Sequence, residues 1–148
     1  MTVMTARDLY ERDFFEWTRC NAALLRAHRF EQVDIEHIAE EIEDMGKSQQ
    51  RELESRIQVL LAHLLKWKHQ PGRRSLSWEH TVDNQRDEIE RLIRMAPSLR
   101  NYIPAALSEV HPKAVRDAAK ETRLPQASFP ETCPFTPDQI LAPDFFPE

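Results

Sequence analysis

A chain of 148 residues in which 30% are charged, only two are glycine and the net charge is −5 suits one domain built from helices with charged outer faces. It argues against a turn-rich β architecture and against a general nucleic-acid binder, and no run nears the roughly 18 apolar residues of a membrane span. Cys20 and Cys133 match no metal or redox spacing, and the N-terminal residues lack an apolar signal core, so a cytoplasmic protein with reduced thiols is expected.

The first helix should open at Asp8 or a neighbour and bury Tyr10, Phe14, Trp17, Leu24, Leu25 and His28, leaving Glu11, Arg12, Glu16, Arg19 and Arg26 outward. After a turn at 29–33, Asp34 is a good N-cap, and Ile35, Ile38, Ile42 and Met45 supply the next buried stripe. Gly46 could end this helix or merely interrupt it. The stripe keeps its phase into Leu53 and Ile57, which favours one long helix from about Asp34 to Gln70. Its most apolar part, Ile57–Trp67, carries Leu60, Leu61, Leu64 and Leu65 on a face too wide for a coiled-coil seam, and should sit at the centre of a bundle.

Pro71 and Gly72 break the chain, and Ser75 or Ser77 can cap a helix bearing Trp78, Val82, Ile89, Leu92 and Ile93, with Asp87–Arg91 and Glu90–Arg94 as outward pairs. Pro97 stops it. The helical region that follows, to about Arg123, should be kinked or divided at Pro104 and Pro112. Six of the ten prolines lie between Pro125 and Pro147, among Phe129, Phe135, Ile140, Leu141, Phe145 and Phe146. That mixture is too apolar for a disordered tail, and Thr136, Pro137 and Gln139 form a capping box with proline at the first helical position. The expected organisation is a single all-α domain: a flexible N-terminus at 1–7, a helical bundle at 8–124 around one long central helix, and a docked proline-rich strap at 125–148 with one short helical turn.

Four groups of residues could carry chemistry. His37, Glu41 and Asp44 lie at helical spacing and could present an imidazole and two carboxylates to iron or manganese, although the order is the reverse of Glu-x-x-His; a solvated acidic face is the plainer reading. His63, His69 and His80 flank one turn and could converge, yet no carboxylate has an obvious place among them. Lys66, Trp67, Lys68, His69, Arg73, Arg74 and Trp78 interleave cations with aromatic rings, which suits a nucleic-acid backbone and bases or internal packing. Arg86 lies on the apolar face of its helix and must be paired if buried, with Glu41 or Glu52 of the central helix as natural partners. No phosphate loop, nucleophile elbow or paired-cysteine motif occurs, and the sequence leaves any cofactor unknown.

The segments Asp13–Trp17, Glu40–Gly46 (EEIEDMG), Leu60–Trp67 (LLAHLLKW), Ser77–Trp78 and Pro97–Leu99, with a C-terminal Cys-Pro followed by Ile-Leu, resemble the bacterial domain of unknown function 29 family. The resemblance runs from about Tyr10 to Phe145 and implies an all-helical protein without an assigned activity. Glu40, Glu41, His63, Lys66, Trp67 and Trp78 occupy its motif positions.

The expected function is a non-enzymatic module for binding a protein partner or a second copy of itself, with no membrane role. Acidic 36–44 and basic 66–74 are a pair of patches that could meet between subunits. The alternatives are a metal-dependent enzyme with a histidine and carboxylate site, and nucleic-acid binding through Lys66 to Arg74. His63, Lys66, Trp67, Trp78 and Arg86 are the candidate binding residues, without catalytic or metal-ligand assignments. His63 and Lys66 belong to a mixed strip on the reverse of the central helix that core packing does not require.

Overall fold

A computed structural model describes residues 4–148, and every regular element in them is helical. Thr5 and Asp8 form a reciprocal capping box that opens α1, Ala6–Arg12. The expected flexible N-terminus at 1–7 lies partly outside the described residues. Asp13 then closes α1 and caps α2, Phe14–Arg26, by accepting from the Glu16 N–H at 3.0 Å. The single first helix expected from periodicity is therefore two. Asp13 has left helical backbone geometry, and its carboxylate satisfies a helix-start donor.

The long helix is present without interruption as α3, Ile35–His69, and Gly46 lies within it. A 3₁₀ turn at Pro71–Arg73 leads to α4, Leu76–Met95, capped by the Ser75 hydroxyl. A second turn, Pro97–Tyr102, precedes α5, Ile103–Thr122. Neither Pro104 nor Pro112 divides α5, so of the two outcomes expected, a kink or a division, the division does not occur. Pro104 stands in the first turn, where a missing N–H costs nothing, and around Pro112 the buried Val110, Ala114, Val115 and Ala118 hold the helix together. Arg123 ends it in left-handed backbone geometry, φ 62°. The last helix, α6 at Pro137–Leu141, carries the predicted capping box of Thr136 and Gln139.

The chain forms two compact units, one up to Lys47 and one from Ser48. In the second, Leu53, Ile57, Leu60, Leu61, Leu64 and Leu65 of α3 are 0% exposed and join side chains of α4 and α5 in one core. The strap belongs to this core, since Phe129, Phe135 and Ile140 are buried in it. The helix-centred bundle with a docked strap is thus the observed architecture.

The first unit holds together differently. Trp17 and Asn21 of α2 are buried, and the Trp17 indole donates to the buried Asp34 carboxylate at 3.0 Å. Asn21 accepts from the Asp34 N–H at 2.9 Å and donates to the Trp17 carbonyl. Rings of Tyr10 and Phe14 pack against Trp17. On α3, however, the expected buried stripe is turned outward: Ile35 is 64%, Ile42 62% and Met45 69% exposed. Only Ile38 of that stripe is half-buried. The polar and aromatic contacts with α3 are made instead through Asp34, His37 and Glu41.

Candidate functional site

Position 66 of α3 shows how the second unit treats its charged groups. Lys66 is buried, and its ammonium donates to the Glu121 carboxylate of α5 at 2.5 Å while lying 4.7 Å from the centre of the Trp78 ring of α4. A buried cation needs such partners, and the aromatic face supplies a second one. One turn earlier, His63 places Nδ1 2.9 Å from the Val59 carbonyl. A carbonyl only accepts, so in the neutral ring Nδ1 carries the proton and Nε2 keeps a lone pair. Burial lowers the pKa of this imidazole, Lys66 lowers it further, and the Val59 bond and Glu121 oppose them without reversing the shift.

Trp67 faces elsewhere. Its ring packs 4.7 Å from Phe146 of the strap and 5.1 Å from the Arg74 guanidinium, whose Nε donates to the Trp67 carbonyl and whose Nη2 donates to that of Pro147. Arg86 joins the same assembly. It donates to the carbonyls of Ile140, Pro143 and Phe145 at 2.8, 3.3 and 2.7 Å and lies 5.5 Å from the Phe146 ring. The expected carboxylate partner from α3 is replaced by strap carbonyls, because three converging lone pairs satisfy a guanidinium fork as a carboxylate would. Glu52 bonds to Arg56 instead.

The five predicted binding residues thus fall into two groups. His63 and Trp78 lie beside Lys66, which binds Glu121, while Trp67 and Arg86 fasten the strap through Phe146. In the basic and aromatic segment, Lys66 and Arg74 have internal partners, and Lys68 and Arg73 are exposed. A shallow cavity of about 620 Å³ lies beside Arg86, between Asp83, Asp87 and Glu90 of α4 and Leu141 and Pro143 of the strap. The expected Asp87–Arg91 pair gives way to Glu88, which holds Arg91 at 2.7 Å.

The first metal candidate is drawn into the packing of its own unit. The Tyr10 ring stacks on His37 with centres 3.8 Å apart, and its hydroxyl donates to Glu41 at 2.5 Å, which pushes its pKa up to about 12. His37 Nδ1 donates to Asp34 at 2.6 Å. Burial would raise the Asp34 pKa, but the bonds from Trp17 and His37 outweigh it and leave it lowered. Among the described residues, no three histidines, cysteines or acids are grouped so as to hold a metal ion.

The profile of the family described as Domain of unknown function DUF29 matches residues 9–146. The chain belongs to this family. No curated protein and no solved structure matches it. DUF29 membership assigns no activity, so the chemistry must be read from the side chains. Among the described residues, no helix of this DUF29 chain is long and apolar enough to cross a membrane.

Ile35, Ile42 and Met45 stand on the surface where burial was expected, and so do Phe14, Leu25 and His28 of the expected first helix. Their pattern was visible, but periodicity marks a face without saying what covers it.

Proposed function

We propose that the chain is a non-enzymatic interaction module of the bacterial cytoplasm, and that the N-terminal half of α3 is the surface it offers to a protein partner or to a second copy. The observation that carries this reading is the exposure of Ile35, Ile42 and Met45 on a helix braced by the Asp34, His37 and Glu41 contacts. Contiguous exposed apolar side chains on a rigid support mark interaction surfaces more often than they occur idly. On this reading, His63, Lys66, Trp67, Trp78 and Arg86 contribute by holding the second unit and its strap in shape.

A photo-crosslinking residue placed at Ile42 in cells making the protein tests this directly, with the exposed Lys68 position as control. The expected result is a discrete adduct from position 42 and none from 68. No adduct from 42, or the same smear from both, would overturn the assignment.

A further inference from the structure

We infer that the outer face of α5 is a further interaction surface, and that its partner is an acidic segment of another protein held through a row of cations. This surface is independent of the exposed α3 face. Lys113, Arg116 and Lys120 recur at i, i+3 and i+7, which places them within roughly 60° of one another round the helix. Arg123 continues the row at the C-cap, and the four span about 15 Å along the axis. All four are exposed, and none of them forms an ion pair among the described residues.

The acids of the same turns do not answer this row. Asp117 and Glu121 lie on the neighbouring strip, toward α3, and both are engaged there: Asp117 accepts from the Gln58 amide at 2.8 Å and Glu121 from the Lys66 ammonium. Glu109 bounds the row one turn before Lys113. Successive members of the row are like charges at i, i+3 or i+4, an arrangement that works against a helix. The helix dipole accounts for Lys120 and Arg123 at the C-terminal end, but its effect has faded at Lys113 and Arg116. Arg123 also holds the left-handed backbone geometry that glycine adopts freely. Four cations kept where the fold gains little from them are suited to contact from outside.

Three features select protein carboxylates over other anions. α5 has no Phe, Tyr or Trp on which a nucleic-acid base could stack. The net charge of −5 opposes a long polyanion, whose reach exceeds the row. No large apolar residue of α5 is exposed, so this face has nothing to insert among lipids. A short acidic segment matches the row in length and charge without meeting the rest of an acidic surface.

Fluorescence anisotropy of a labelled helical peptide, titrated with the purified chain, tests the inference. The peptide carries glutamates at i, i+4 and i+7, and its counterpart has glutamines there. The glutamate peptide should bind, and should be released as salt rises; the glutamine counterpart should bind about tenfold more weakly or worse. Arg116→Gln with Lys120→Gln should weaken the glutamate peptide about tenfold and leave the thermal melt unchanged. Lys68→Gln with Arg94→Gln removes the same charge at other exposed positions and should change binding by less than about twofold. Absence of binding would overturn the inference, and so would equal binding of the glutamine peptide or an equal loss from the Lys68 and Arg94 substitutions. Tighter binding of a short DNA duplex or of phosphatidylserine vesicles, lost on substituting Arg116 and Lys120, would overturn the choice of partner in favour of phosphate.

Discussion

Two stretches of α3 follow the same rule of apolar spacing and meet opposite fates. At Leu53, Ile57, Leu60, Leu61, Leu64 and Leu65 the aliphatic side chains are sealed from water, whereas at Ile35, Ile42 and Met45 they stand in it. The first stretch is enclosed by α4, α5 and the strap. The second is braced through Asp34, His37 and Glu41, so polar and aromatic contacts hold the helix while its apolar residues look outward. A periodic apolar stripe therefore specifies that something packs there, and only the structure tells whether the chain supplies it.

The sharpest way to break this comparison is to truncate one residue from each stretch. Leu61→Ala or Leu64→Ala should cost roughly 2 to 5 kcal/mol through lost burial and a cavity, whereas Ile42→Ala in dilute protein should cost about 0.5 kcal/mol or less. Denaturant midpoints compare them directly, and equal losses would show that the outward stripe is covered in the free chain.

The enclosure of the second stretch also depends on the strap, and Arg86 is its fastening. Arg86→Met removes charged donors from three carbonyls and should cost about 3 kcal/mol, with residues 137–148 becoming the first site of limited proteolysis. An unchanged cleavage pattern would mean that Phe129, Phe135 and Ile140 suffice to hold it.

A smaller effect should appear with pH. Burial lowers the pKa of His63 and of His69 from the ordinary 6.5. Both are neutral in the fold, and the unfolded chain binds protons more readily. Their contribution is complete above the unfolded value and is lost as pH falls through the lowered ones. The melting temperature should decline from about pH 7 to about pH 5, the range in which histidine titrates, and His63→Gln should flatten that slope. A melting temperature constant over this interval would contradict the assignment.

Much of the fold was legible because it depends on local rules. The uninterrupted phase across Gly46, the hydroxyl cap at Ser75 and the box at Thr136 and Gln139 are all encoded within a few residues. Asp13 was misread because an aspartate inside an amphipathic pattern gives no sign that the backbone turns there. Pro112 does not divide its helix as a local breaker could, since tertiary packing holds the helix across it. The site was less legible. Lys66 and Trp78 did come together, but Glu121 lies on a helix whose relation to α3 no spacing reveals. Arg86 was rightly expected to need partners, yet those partners are main-chain carbonyls, which every residue possesses and no sequence pattern advertises.

That last bond set has an evolutionary consequence. Because Arg86 grips the backbone at positions 140, 143 and 145, the grip itself does not depend on which side chains stand there. Sequence drift at Pro143 or Phe145 can alter packing while leaving these acceptors in place. Position 86 has no such freedom, because lysine offers a point charge in place of a planar fork with five donors. Tolerance to substitution should therefore be lopsided across this contact, narrow at one residue of α4 and broad along the segment it holds.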